Sequence, residues 1–269
     1  MYRAVMCDRI LANVQTTLNA KLSAGYSSAS QKSRILTESW VDEEAFCPSC
    51  GSTIKRFANN RPVADFFCPD CGEQYELKSK KNVFGNSIAD GAYATMLERL
   101  ESNTNPSFFL LTYDPDAFEV SNFCVIPKHF FVPQIIEKRK PLSPTARRAG
   151  WVGCNISLRN IPRTGRIYYI RNRQVEPKEK VLENWKKTLF LGQEKAMTSR
   201  GWILDVMTCI DRLGKKEFDL TEMYSFEKIL EERYPSNRHI RDKIRQQLQL
   251  LRDRGYLEFT GRGRYRVTT

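Results

Sequence analysis

The chain has 269 residues, with 43 Lys and Arg against 31 Asp and Glu, a formal net charge of +12, and 41% hydrophobic residues. That length and apolar content can bury the core of one large or two modest domains. A basic surplus of this size makes a polyanion, either nucleic acid or an anionic membrane, the leading partner. The longest apolar run lies near "FFLL" at residues 108 to 111, far short of the roughly 20 residues of a spanning helix. A cytoplasmic protein without a membrane partner is therefore expected.

In chain order, residues 1 to 27 hold apolar positions broken by Asp8, Arg9, Asn13 and Gln15. No secretion-type apolar run is present there, and an N-terminal extension without assigned role is expected. From Ser33, "SRILTESWV" places apolar residues at 35, 36 and 40 and Glu38 on another face, the pattern of an amphipathic helix. Two Cys-x-x-Cys pairs follow, Cys47 with Cys50 and Cys68 with Cys71, separated by 17 residues. This spacing fits a tetrahedral zinc site, structural because four thiolates leave no open position. The other cysteines, Cys7, Cys124, Cys154 and Cys209, are scattered, which fits reduced thiols in an intracellular protein better than a disulfide framework.

Residues 63 to 67 and 75 to 79 read as a hairpin whose turn, "CPDCGEQ", carries the second cysteine pair. A helix is expected over 87 to 101, with Ile88, Tyr93, Met96, Leu97 and Leu100 on one face, then strands at "SFFLLTY", "SNFCVIP" and "GRIYYIR". A polar, partly helical stretch between 171 and 200 marks a boundary. Beyond Gly201, three helix-sized segments and the glycine-turned "YLEFTGRGRYRVT" predict a winged helix. The expected organisation is an extension at 1–27, a mixed α/β domain at 28–195 and a winged-helix domain at 196–269.

On a strand, Glu76 and Lys78 share one face and Leu77 takes the other. The hairpin can bring Asp65 across from Glu76. Two converging carboxylates call for a cation between them, and hard oxygen donors suit Mg²⁺, with the Leu77 carbonyl as a further oxygen. Lys78 could then orient or help deprotonate a water attacking a phosphodiester.

"RPVAD", ten residues, then "ELK" is similar to the motif of the PD-(D/E)xK nuclease superfamily, although Pro62 stands two residues further from Asp65 than the name of the motif has it. In that superfamily a preceding helix often offers a third carboxylate, a position matched by Glu38 and, less well, by Asp42. "SQKSRILTESWV", "NRPVADFFC", "ELKSKK", "DGAYATM", "PTARRAGWVGCN", "IRQQLQLLRDRG" and "GRGRYR" occur in that order across residues 28 to 269. Together they closely resemble the DpnI-type restriction endonucleases. The resemblance implies a PD-(D/E)xK domain with an inserted zinc site joined to a C-terminal winged helix. It implies a type II methyl-directed activity that cleaves both strands of DNA at GATC when the adenine is N6-methylated, with Mg²⁺. By motif, it implies Asp65 and Glu76 as metal ligands, Lys78 as the catalytic lysine, and Cys47, Cys50, Cys68 and Cys71 as the zinc site.

Residues 235 to 269 hold nine Lys and Arg against three acids, so Arg238, Arg241, Arg245, Arg262 and Arg264 are candidate contacts to phosphate or guanine. The stretch 138 to 155 places Lys138, Arg139, Lys140, Arg147 and Arg148 before Trp151, as expected of a loop facing DNA. An N6-methyl group in the major groove needs a small apolar surface, for which Trp151 and Trp202 are candidates, with Arg200 alongside Trp202. His129 and His239 are expected to be structural or surface residues. The competing expectation is a zinc-containing winged-helix regulator without nuclease activity. The sequence leaves oligomeric state open, a monomer being one option.

Overall fold

The computed structural model describes residues 14–58, 64–194 and 196–268, and they form two compact units, neither contiguous in sequence. The first comprises the described residues up to Phe84, Pro106–Lys128 and Ile167–Lys186. Its centre is a seven-stranded sheet in the order β1-β2-β3-β5-β6-β9-β10: β1 Lys55–Arg56, β2 Phe66–Phe67, β3 Gln74–Lys81, β5 Ser107–Asp114, β6 Glu119–Ile126, β9 Ile167–Arg171 and β10 Gln174–Val175. Seven of the eight β5 residues are buried, the near-continuous apolar run of a strand covered on both faces. It runs parallel to β3 and antiparallel to β6.

Helix α1, Ala29–Glu44, is longer than the pattern from Ser33 implies. Trp40 and Val41 from α1 enter a core with Tyr75, Phe109, Phe123 and Tyr169. Tyr75 stacks on Phe109 at 4.5 Å and Trp40 meets Phe123 edge-on at 5.1 Å. Thr37 Oγ1 reaches Ser79 Oγ at 3.1 Å, so α1 lies on the Tyr75, Leu77 and Ser79 face of β3. Residues 14 to 23 belong to this unit rather than to an extension. Leu18 is buried in the core, its amide donates to Phe118 O at 2.7 Å, and Trp40 Nε1 donates to Gln15 O at 2.9 Å. Residues 1–13 lie outside the described residues.

The second unit comprises Gly85–Asn105, His129–Arg166 and Lys187–Thr269. Residues 85–105 and 129–166, expected in one domain with the hairpin, therefore pack with the C-terminal helices. Arg163 N–H donates to Asp211 Oδ2 at 2.6 Å. Here lies a sheet in the order β4-β8-β7, from β4 Ser87–Ala92, β7 Ile136–Lys138 and β8 Gly153–Ser157. The helix expected over 87–101 is thus half strand, and only α2, Tyr93–Glu101, is helical. β4 pairs with β8 through a register shift between Asp90 and Ala92, at Gly91. Ile88 is buried between exposed Ser87 and Ala89 and belongs to a period of two rather than 3.6.

After α3, Lys178–Gln193, the winged helix follows as α4 Met197–Leu213, β11 Glu217–Asp219, α5 Leu220–Tyr224, α6 Glu227–Arg233, α7 Ile240–Asp253, β12 Leu257–Gly261 and β13 Arg264–Val267. The middle segment is two short helices, and a capping box between Asp219 and Glu222 starts the first. β11, too short to read from sequence, makes the wing three-stranded in the order β11-β13-β12. Gly255 and Gly263 take φ of +72° and +69°, ending α7 and turning the wing where a side chain would be strained. Among the described residues, no helix is long and apolar enough to cross a membrane.

Candidate functional site

The four cysteine sulfurs converge. Their Sγ atoms lie within 4.8 Å of one another, with Cys47 to Cys71 and Cys50 to Cys68 each at 3.4 Å. Thiolates about 2.3 Å from a tetrahedral ion stand about 3.8 Å apart, so these positions fit a metal ion and are far too open for a disulfide of about 2.05 Å. The two loops repeat one design. Gly51 N–H closes on Cys47 O at 2.8 Å and Gly72 N–H on Cys68 O at 3.0 Å, with the glycines at φ +81° and +75°.

The Cys47 sulfur accepts the amides of Cys50 and Ser49, and that of Cys68 accepts those of Cys71 and Asp70, fixing sulfurs in place as ligands require. Burial pushes both thiols up. For Cys50 burial also acts upward, but hydrogen bonds from the Ser52 hydroxyl and amide and from neighbouring thiols bring it to about 7. The Tyr75 hydroxyl touches Cys47 Sγ at 3.1 Å. Because Tyr75 sits on β3 beside Glu76, the cluster is tied directly to the strand that carries the acidic residues.

The β2–β3 register pairs Phe66 with Tyr75 and Phe67 with Gln74, which places Asp65 opposite Glu76 just beyond the end of β2. Asp65 N–H donates to Tyr75 O at 2.9 Å, and its Oδ2 accepts Leu77 N–H at 2.7 Å. The amide and carbonyl of an extended residue project to the same side, so the Leu77 carbonyl faces the Asp65 edge as well. On the face opposite Leu77, Lys78 Nζ donates to Glu76 Oε1 at 2.6 Å and lies 5.4 Å from the Phe108 ring. The register thus sets Asp65 and Glu76 opposite one another, with the Leu77 backbone on the Asp65 side and Lys78 bonded to Glu76.

Glu38 is placed otherwise than expected. Its carboxylate is 7% exposed and paired with Arg34 Nε at 2.6 Å and with Arg56. Among the described residues, the four cysteines are the group of three or more His, Cys, Asp or Glu side chains whose ligand atoms converge. Glu38 thus does not join Asp65 and Glu76, because two guanidiniums hold its oxygens. Asp42, the weaker match, is exposed. Sequence reasoning missed Arg56, which binds Glu38 and lies in the field of Asp65. Burial lowers its pKa, as does neighbouring Arg34, while Asp65 raises it. It missed Tyr75 too; each would have required knowing the strand register.

Arg238, Arg262 and Arg264 are exposed on the winged helix. Arg241 Nε donates to Glu227 Oε2 at 2.8 Å, while Arg245 donates to Tyr224 Oη at 2.9 Å and pairs with Asp242. Arg200 and Trp202, candidate DNA and methyl contacts from the sequence, are only 5% and 6% exposed. They fall on the inner side of α4, a helix buried continuously from Arg200 to Ile210. Arg200 contacts Met197 Sδ at 2.7 Å, and burial lowers its pKa. Trp202 stacks on Tyr234 at 3.8 Å, its rim lining an open cleft of about 580 Å³ with Arg238 and His239.

In the 138–155 stretch, Leu142 N–H donates to Trp151 O at 2.9 Å and Gly150 N–H to Leu142 O at 3.1 Å, holding a closed loop. Arg148 lies 4.5 Å over the half-buried Trp151 ring, and Arg147 is exposed. A Cβ on Gly153 would stand 2.8 Å from that ring, so glycine is what lets the tryptophan lie there. His129 is buried and His239 is exposed.

An α/β hairpin turned on a four-cysteine cluster that fits a metal ion, together with a winged helix, defines the class: a DNA-acting protein with a helix-turn-helix domain. The family follows from sequence comparison. Residues 14–194 match the model of the DpnI, Dam-replacing family, and residues 198–267 match that of the Dam-replacing HTH domain. The chain belongs to the Dam-replacing family. Membership supports a methyl-directed restriction endonuclease acting on DNA.

Proposed function

We propose that this protein is a type II restriction endonuclease that hydrolyses both strands of double-stranded DNA at N6-adenine-methylated GATC sites in a Mg²⁺-dependent reaction. The observation carrying this reading is the Asp65 carboxylate bonded to the Leu77 amide at 2.7 Å opposite Glu76, the arrangement of a PD-(D/E)xK hairpin. Asp65, Glu76 and the Leu77 carbonyl would hold Mg²⁺, an all-oxygen donor set suited to that ion. When bound, the ion supplies charge neutralisation at the phosphate and a more acidic water. Lys78, held by Glu76, orients the attacking water and stabilises the charge gained by the phosphate oxygens. The cysteines hold a structural Zn²⁺ that, through Tyr75, keeps β3 in register with β2.

The basic loop and the winged helix grip the duplex. Trp151, its ring fixed by Arg148 and Gly153, is the methyl contact in this reading. The chemistry is tested by incubating adenine-methylated plasmid with wild-type protein in Mg²⁺, with wild type in EDTA, and with Asp65→Asn in Mg²⁺. Fragments are expected in the first reaction alone. A folded, zinc-loaded wild type that binds the plasmid but never cuts it supports a winged-helix regulator instead.

A further inference from the structure

The helix α7 closes the helix-turn-helix, and such helices enter the major groove with their N-terminal residues toward the bases. Ile240, Ile244, Leu248 and Leu251 are buried. At 3.6 residues per turn, the line opposite that stripe runs through Asp242, Gln246, Gln249 and Asp253, all exposed. The arginines stand to the flank and are tied to the domain itself. Arg241 is held by Glu227 and lies 5.0 Å from the Tyr224 ring, and Arg245 is held by the Tyr224 hydroxyl at 2.9 Å. From the other flank, Lys243 Nζ donates to Gln246 Oε1 at 2.8 Å. The outermost residue of the helix's first turn is thus a carboxylate.

A carboxylate in a groove walled by phosphates is unfavourable unless it accepts a hydrogen bond there. The donors that bases offer in the major groove are the exocyclic amino groups of cytosine and adenine. N6-methylation leaves adenine one such hydrogen. Arg245, paired to Asp242, both fixes the carboxylate and offsets its repulsion from phosphate. We propose that Asp242 is a specificity residue of the winged helix, accepting a hydrogen bond from an exocyclic amino group, cytosine N4 or adenine N6, in the major groove. This rests on the DNA-binding role proposed above and adds the residue that reads a base.

The test uses the full, zinc-loaded chain carrying Asp65→Asn to suppress cleavage, with binding measured by fluorescence anisotropy. The probes are synthetic duplexes holding one methylated GATC, and variants with each base pair replaced in turn. Adding Asp242→Ala should erase discrimination at one position by roughly ten- to a hundredfold and leave the other positions as they were. Loss at a C·G pair assigns cytosine N4; loss at an A·T pair assigns adenine N6. Asp242→Asn, which keeps an acceptor oxygen, should recover part of it. A uniform change across all duplexes, with unaltered circular dichroism, would overturn the proposal and leave Asp242 as a brace for Arg245. If the parent protein binds every duplex alike, the specificity reading itself fails first, and the proposal with it.

Discussion

Asp65→Ala separates the chemistry of the hairpin edge from its stability. The substitution removes the carboxylate that accepts Leu77 N–H at 2.7 Å. A buried hydrogen bond to a charged group is worth about 1.5–3 kcal/mol. Asp65 is only half-buried, so water can replace it, and the net cost falls to about 1 kcal/mol. For a chain of this size that lowers Tm by about 2–4 °C. Loss of one ligand from the carboxylate edge should instead reduce cleavage about a hundred- to a thousandfold, the scale seen when one charge-stabilising group is removed from a catalytic site. Melting by circular dichroism and single-turnover cleavage of end-labelled methylated duplex read the two effects on the same preparation. Cleavage within tenfold of wild type, or a variant that fails to fold, would refute the assignment of Asp65 as a ligand with only a minor structural role.

Glu38→Gln should show the opposite split. Removing the charge of buried Glu38, whose partners Arg34 and Arg56 are 57% and 29% exposed, should cost about 1–2 kcal/mol, seen in the denaturant midpoint, while cleavage at a temperature where the protein is folded drops less than tenfold. Cys68→Ser should abolish stoichiometric zinc, measured by metal analysis, and unfold the hairpin. Acidification or a chelator should release the metal from wild type with loss of protection at Tyr75 and Glu76 in hydrogen exchange, because the ligands must be thiolates. Trp151→Ala should narrow the affinity gap between methylated and unmethylated duplexes while preserving cleavage at saturating protein. A gap that stays at its wild-type width would remove Trp151 as the methyl contact.

What the sequence revealed and what it hid divide along physical lines. The cysteine cluster, the hairpin register that sets Asp65 opposite Glu76, and the winged helix are written in short-range spacing, because a knuckle, a strand pair and a glycine turn are each set by neighbours in the chain. The roles of Glu38, Arg200 and Trp202 depend on which face of a helix meets which partner. Glu38 is turned to Arg56 across an unpredicted two-residue strand, and α4 is buried on more sides than its pattern implies. The strand over 87–92 was hidden because Ile88 fits a helical stripe with Tyr93 and Met96 as well as it fits alternation, and pairing with β8 decides it. The split of the middle winged-helix segment at Ser225 and Phe226 follows from a local turn that no single residue announces.

Methyl-directed cleavage of DNA is the activity proposed for this chain. Its most direct test is a duplex with one GATC, prepared unmethylated, hemimethylated on either strand and fully N6-methylated, labelled on both strands and incubated with wild-type protein and Mg²⁺. Cleavage of both strands confined to, or strongest on, the fully methylated duplex is the predicted result. Equal cleavage of all four duplexes would contradict the methyl-directed reading, and absence of cleavage by a folded, DNA-binding protein would contradict the nuclease reading altogether.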